Sequence, residues 1–118
     1  NKIKPDKIYL PNPSYNQDHK AVYDAALIAL RPHDINFFVK KVLLYEQPQD
    51  FWASGRPAFN PNYFVSIDIN KKISLYQKMT SQVRGHRSTK HLETIAQLRG
   101  IQANTPCAEA FEILRWCE

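Results

Sequence analysis

The sequence predicts an α/β domain, and three observations favour this class. Short apolar segments typical of strands alternate with amphipathic segments typical of helices along the 118 residues. The hydrophobic fraction of 43% and the charged fraction of 23% match an ordinary globular domain that buries its own core. The longest apolar run, residues 25–30, is too short to cross a membrane. We therefore expect a single domain over residues 1–118 in the cytoplasm.

The first half of the chain is predicted to form a strand, a helix and a second strand. Residues 7–10 form a short strand, which the prolines of the next loop bring to an end. A helix is expected over residues 18–30, because small apolar side chains recur at helical spacing from Val22 to Ala29 and Asn16 suits the N-cap. This apolar face should pack closely against the sheet. Residues 36–45, rich in Phe, Val and Leu, are predicted to be a buried strand.

The middle of the chain is predicted to contain a long loop, a strand and a helix. Residues 47–61 carry three prolines and a glycine, and a connection of this length is expected to line a pocket. Residues 63–67 are predicted to be a strand. A helix over residues 70–83 follows, with Asp68 or Asn70 as its N-cap.

The last part of the chain is predicted to begin with a third helix over residues 88–99. Ser88 suits its N-cap, and Gly100 is expected to end it. Residues 107–116 fit two structures. Thr105-Pro106 is a good helix start, whereas the small and aromatic side chains that follow also fit a short strand.

Charge and cysteine content limit the classes of partner. The net charge of +5 favours anionic partners only weakly, because the basic residues are scattered. Residues 84–90 form the densest basic zone but contain no aromatic side chain on which bases could stack, so we expect no nucleic-acid partner. Cys107 and Cys117 lack metal-binding spacing and are expected to be reduced thiols.

The run Asn16-Gln17-Asp18-His19 carries the strongest chemical signal. It lies between a predicted strand and a predicted helix, where open α/β sheets bind ligands. A histidine there can bind a metal if its second ring nitrogen is held, and Asp18 is a candidate for that support. The alternative is that both residues simply stabilise the first turn of the helix. The remaining histidines show no metal-ligand spacing and are expected in loops or on the surface: His33, His86 and His91.

Several segments together resemble a known family in their order and spacing. They are Lys4 to Pro11, the Asn16 to His19 run, Tyr45-Glu46, residues 59–64, residues 72–82, Leu98 to Gly100 and Ala108 to Phe111. In this order they resemble the carboxyl-terminal part of the LmbE-like, or PIG-L-like, metal-dependent N-deacetylases over nearly the whole chain. The run looks like a variant of that family's HxDH motif. The resemblance implies the rear half of a Rossmann-like, three-layer α/β fold with a mostly parallel sheet.

The resemblance also implies roles for individual residues. Family members hold zinc with a histidine and an aspartate of an amino-terminal AHPDDE motif and with the last histidine of HxDH, so His19 would be the third ligand. Asp18 would orient and tune the neighbouring catalytic group. Asn16 replaces the first histidine of the motif, so it can donate a hydrogen bond to an oxyanion but cannot carry a proton at neutral pH. Gln82 and the 47–61 segment are expected to contact substrate, although Gln82 also fits a polar helix end.

The implied function is zinc-dependent removal of an acetyl group from an N-acetylglucosamine-type glycoconjugate. No AHPDDE motif occurs in the sequence. The other metal ligands and the general base would therefore come from a missing N-terminal half or from a second chain. We expect the chain alone to be inactive and to associate, for example as a homo-oligomer. The alternative is a non-catalytic sugar-binding or interaction fragment of the same fold.

Overall fold

The computed structural model describes residues 3–33, 36–52 and 58–118, without the side chain of His86. The chain contains four strands and three α-helices in mixed order within the described residues, which confirms the α/β class. The elements are β1 (Lys7–Pro11), α1 (Gln17–Ala29), β2 (Lys41–Tyr45), a 3-10 helix (Pro48–Trp52), β3 (Tyr63–Ser66), α2 (Ile69–Tyr76), a second 3-10 helix (Gly85–Arg87), α3 (Thr89–Ala103) and β4 (Ala108–Trp116). In this part of the chain no helix is long and apolar enough to cross a membrane.

The four strands form one sheet in the order β1-β2-β4-β3. Strands β1 and β2 run parallel, with Lys7 opposite Lys41 and Pro11 opposite Tyr45. Strands β2 and β4 run antiparallel. The sheet is therefore mixed, and the expectation of a mostly parallel sheet is corrected. The ambiguous segment at the end of the sequence forms the nine-residue strand β4, not a helix.

The chain divides into two compact units. The first comprises Asn1–Asn62 with Phe111–Glu118, and the second comprises Tyr63–Ala110. The residues proposed to carry chemistry at the start of the chain all belong to the first unit. Both cysteines are free thiols, as expected, and Cys107 is buried.

Helix α1 contacts the core of the first unit through a face that shares only Ala26 with the predicted one. Tyr23, Ala26 and Leu30 pack against the core cluster that Leu10 and Leu44 help to form. Val22, on the predicted face, is 52% exposed, and no residue of α1 is fully buried. Tyrosine and leucine remove more apolar area from water than the alanines of the predicted face, and this difference determines which side of the helix contacts the core.

Strand β2 is shorter than the predicted strand over residues 36–45. Pairing with β1 begins at Lys41 because β1 itself begins at Lys7. Phe37, which precedes the strand, packs against the core cluster. The apolar residues before Lys41 therefore contribute to the core without pairing in the sheet. In the segment that follows, residues 48–52 form a 3-10 helix. The part of the predicted pocket loop over residues 53–57 lies outside the described residues.

Helix α2 begins where predicted but ends earlier. The side chain of Asp68 accepts hydrogen bonds from the N–H groups of Asn70 and Lys71, which confirms Asp68 as the N-cap. The helix ends at Tyr76 instead of residue 83. The Tyr76 hydroxyl lies 3.0 Å from the main-chain oxygen of Gln82 and 2.9 Å from that of Arg87. These contacts hold the following chain in a turn, which a continued helix would not allow.

We expect Tyr76→Phe to lower the free energy of unfolding by about 1 kcal/mol, because the single O–H hydrogen, which lies within reach of both carbonyls, is lost. Urea unfolding measures the change. Tyr15→Phe is the matched control, since Tyr15 is 65% exposed. If the two substitutions have equal effects, the hydroxyl contacts do not stabilise this turn.

Helix α3 begins at its predicted cap and runs past its predicted end. The Ser88 hydroxyl accepts a hydrogen bond from the N–H of His91, which confirms the N-cap. The helix continues through the buried Gly100 to Ala103, and Asn104 ends it in the left-handed conformation with φ 54°. The prediction that Gly100 ends the helix is wrong. Asparagine adopts the left-handed region more readily than most residues, which suits it to this position.

Candidate functional site

The candidate site begins where the parallel strands β1 and β2 end. Carboxyl ends of parallel strands meet at one edge of a sheet, where open α/β folds bind ligands. Asn12 follows β1 directly and is 2% exposed. Its main-chain N–H donates to the carbonyl of Tyr45, at the end of β2, over 3.2 Å. This bond holds the start of the loop to α1 beside the end of β2.

Two side-chain contacts shape the turn that leads into α1. The Ser14 hydroxyl accepts a hydrogen bond from the N–H of Asn16 over 3.1 Å. The Asn16 side-chain oxygen accepts one from the N–H of Asp18 over 3.0 Å. The predicted N-cap is therefore confirmed, and it places His19 in the first turn of the helix.

His19 is half-buried, and two side chains contact its Nδ1 atom. The Ser14 Oγ lies 3.1 Å from Nδ1, and the Gln49 Nε2 lies 3.4 Å from it. Because both contacts engage Nδ1, the ring orientation is set and Nε2 is the atom suited to bind a ligand. Neither partner is predictable from a local sequence pattern. The serine lies close in sequence, whereas Gln49 is 30 residues away and only the fold brings it near.

A second amide, the buried side chain of Gln47, contacts Gln49. The Gln49 Nε2 donates a hydrogen bond to the Oε1 of Gln47, which is 7% exposed. Within the described residues, the Gln47 Nε2 and the Asn12 Oδ1 are buried without a hydrogen-bond partner. Asn12 uses its Nδ2 to donate to the carbonyl of Ala58 over 3.4 Å. Buried amide groups of this kind are expensive to leave unsatisfied, so the orientation of each matters to its neighbour.

Asp18 and Asn16 both lie at the positive end of the α1 dipole. Asp18 is exposed in the first turn, where a carboxylate stabilises the helix. Asn16 is also exposed, and because its Oδ1 caps the helix, its Nδ2 is the atom that can donate to a ligand. The catalytic roles of these residues stay predictions.

His19 has the chemistry of a zinc ligand, because another group holds its Nδ1. Zinc in a catalytic site takes three protein ligands. In residues 3–33, 36–52 and 58–118, no group of three or more His, Cys, Asp or Glu side chains is arranged to hold a metal ion. Within these residues His19 has no partner ligands that would complete a zinc site, and its role as a zinc ligand stays a prediction.

Gln82 lies in the second unit and has local contacts. Its Oε1 accepts a hydrogen bond from Arg87 over 3.1 Å, and its Nε2 donates to Ser81 over 3.4 Å. Its side chain is exposed. These contacts give Gln82 a role in the turn after α2, and its predicted contact with substrate stays a prediction.

The chain was compared with known proteins. No protein-family model matches it, and no curated protein matches it either.

Proposed function

We propose that this chain supplies the His19-bearing part of a zinc-dependent N-deacetylase that acts on an N-acetylglucosamine-type glycoconjugate. The observation that carries the proposal is the position of His19. The residue lies in the first turn of a helix after the end of a parallel strand, and its Nδ1 contacts Ser14 and Gln49. Metal-binding histidines have their second nitrogen held in this way. The resemblance of the Asn16 to His19 run to HxDH supports the same role.

The rest of the metal site is proposed to lie outside this chain. A segment with an AHPDDE motif, in an N-terminal half or a second chain, would supply two ligands and the general base. The chemistry that zinc supplies when bound is a more acidic water and a polarised substrate carbonyl. His19 would hold the metal from this side through Nε2, with its ring fixed by Ser14 and Gln49.

Asn16 and Asp18 would act from the same turn. The Asn16 Nδ2 would donate a hydrogen bond to the oxyanion that forms as the acetyl carbonyl is attacked. Asp18 would orient the neighbouring catalytic group. A turn fixed by the Ser14 contact and the helix cap is suited to hold both side chains in place before the reaction.

We expect Asn16→Asp to lower kcat by about 100-fold to 1,000-fold without lowering stability. Aspartate is nearly the same shape and caps a helix as well as asparagine does, but it offers no N–H to an oxyanion. Asn16→Ala is the companion variant, which should also lose about 1 kcal/mol of stability because the cap is removed. Acetate release and thermal unfolding measure the two effects. Full activity in Asn16→Asp would show that the amide does not act on the reaction.

The experiment that tests the function uses the product of the complete reading frame. We expect it to release acetate from N-acetylglucosamine glycosides, to lose this activity to a chelator and to regain it with added zinc. An N-acetylated amino acid serves as a control for substrate class. If zinc-loaded protein releases no acetate from any acetylated sugar, the deacetylase proposal is wrong, and the sugar-binding alternative is then tested by binding of the same glycosides.

A further inference from the structure

Two large aromatic side chains lie exposed beside the His19 turn, and we infer that Trp52 is the platform on which the sugar ring of the substrate stacks. Trp52 is 69% exposed, and Tyr15 is 65% exposed. Their ring centroids lie 5.5 Å apart, with an angle of 40° between the ring planes. The contact with the tyrosine steadies the indole, which still offers most of its surface to a ligand.

The two rings are carried by the segments that contact the imidazole of His19. Tyr15 follows Ser14, whose hydroxyl contacts Nδ1. Trp52 is the last residue of the 3-10 helix in which Gln49 makes the second contact to Nδ1. Side chains three residues apart lie on the same side of a 3-10 helix, and each residue advances the helix by about 2 Å. The indole therefore leaves this helix on the same side as Gln49, with its Cα about 6 Å farther along, so a ligand stacked on it would lie close to His19.

The charge of these two segments favours a neutral ligand. Residues 12–19 and 47–52 contain no lysine or arginine, whereas they contain two aspartates. A nucleotide or another phosphate-bearing ligand would find no lysine or arginine in these segments to pair with its negative charge. The same segments contain five Asn or Gln side chains. An amide both donates and accepts hydrogen bonds, as a sugar hydroxyl does, so these side chains suit a polar, uncharged ligand.

An exposed indole next to neutral polar groups suits the two kinds of surface that a sugar presents. The faces of a pyranose ring carry C–H bonds, and its edge carries hydroxyl groups. The C–H bonds are attracted to the negative face of an aromatic ring, and stacking removes apolar area of both partners from water. This assignment rests on the proposed function: Trp52 would hold the sugar ring while its N-acetyl group reaches the metal bound by His19.

Binding of methyl N-acetyl-β-glucosaminide to the metal-free complete protein tests the platform. Protons above the face of an aromatic ring shift upfield in NMR spectra, so we expect the ring C–H signals of the bound glycoside to move upfield. Trp52→Leu keeps an apolar side chain but removes the flat ring. We expect it to abolish this shift and to weaken binding, measured by titration calorimetry, by at least about tenfold. Trp116→Leu, the same change at the other tryptophan of this chain, should bind as the wild type does.

Three results would overturn the inference: no binding of the glycoside to the wild type, binding without the upfield shift, and wild-type affinity in a folded Trp52→Leu variant. The first two decide the matter even if the variant does not fold. Tighter binding of adenosine monophosphate than of the glycoside would also contradict a neutral ligand.

These measurements use neither bound metal nor turnover, so they separate the platform from the proposed chemistry. If Trp52→Leu binds the glycoside normally in a protein that releases acetate, only the platform is wrong. If the platform is confirmed in a zinc-loaded protein that releases no acetate, the deacetylase proposal is wrong and a sugar-binding site remains.

Discussion

His19→Ala is expected to reduce acetate release by the complete protein by about a thousandfold or more. A thousandfold loss corresponds to about 4 kcal/mol of barrier, within the several kcal/mol that a catalytic metal contributes. The substitution removes a half-buried ring and its hydrogen bonds at Nδ1 to Ser14 and Gln49. We therefore expect the free energy of unfolding to fall by only about 1 kcal/mol.

The matched control for this prediction is His91→Ala. His91 is exposed on α3, in the second unit, and should leave acetate release unchanged. Steady-state kinetics and urea unfolding of both variants separate a loss of chemistry from a loss of folding. If His19→Ala keeps more than about a tenth of wild-type activity, His19 is not a ligand of the catalytic metal.

Gly100→Ala is expected to destabilise the protein by about 3 kcal/mol, although alanine is the better helix former. A Cβ atom at this position would lie 2.4 Å from the main-chain oxygen of Thr105 and 2.6 Å from that of Pro106. The contact cannot relax easily. The Thr105 N–H donates to the Gly100 carbonyl over 3.0 Å, and the chain turns through Asn104 immediately before it.

Whether Gly100→Ala raises or lowers the free energy of unfolding distinguishes the steric clash from helix propensity. Helix propensity alone would have Gly100→Ala stabilise α3 by about 1 kcal/mol, so any gain in stability contradicts the close approach of the chain. Gly85→Ala is the contrasting variant. Gly85 has open space around it but a φ of +52°, and we expect a loss of about 1 kcal/mol from backbone strain alone. Thermal and urea unfolding compare the two.

The sequence was sufficient to predict the starts of the helices. Asn16 and Ser88 are the N-caps that the pattern indicated, and Asp68 is one of the two candidates that it offered for α2. Caps are local: a side-chain oxygen bonds to N–H groups two or three residues ahead, so residue type and the start of the periodic pattern are enough.

The ends of helices and the buried faces depended on distant contacts. Helix α2 stops at Tyr76 because its hydroxyl holds carbonyls six and eleven residues ahead. Gly100 looked like a helix end, but the returning chain passes so near it that a Cβ atom would lie 2.4 Å from the Thr105 main-chain oxygen. Neither feature leaves a periodic trace, so pattern alone predicts a longer α2 and a shorter α3.

For the candidate site, the position of His19 in the first turn of a helix was predictable from the sequence, but the side chains that contact its ring were not. The turn that presents His19 was predictable from the loop, the cap and the helix pattern. The contact with Gln49 was not, because it joins residues 30 positions apart through the pairing of β1 with β2. The buried Gln47 also looked like an ordinary loop residue.

The zinc content of the complete protein tests the central claim most directly. Metal analysis by mass spectrometry of the wild type, His19→Ala and His91→Ala, each purified without added chelator, gives the zinc bound per chain. We expect stoichiometric zinc in the wild type and in His91→Ala, and little or none in His19→Ala. Full zinc occupancy in His19→Ala, or no zinc in a folded wild-type protein supplied with the metal, would contradict the assignment of His19 as a zinc ligand.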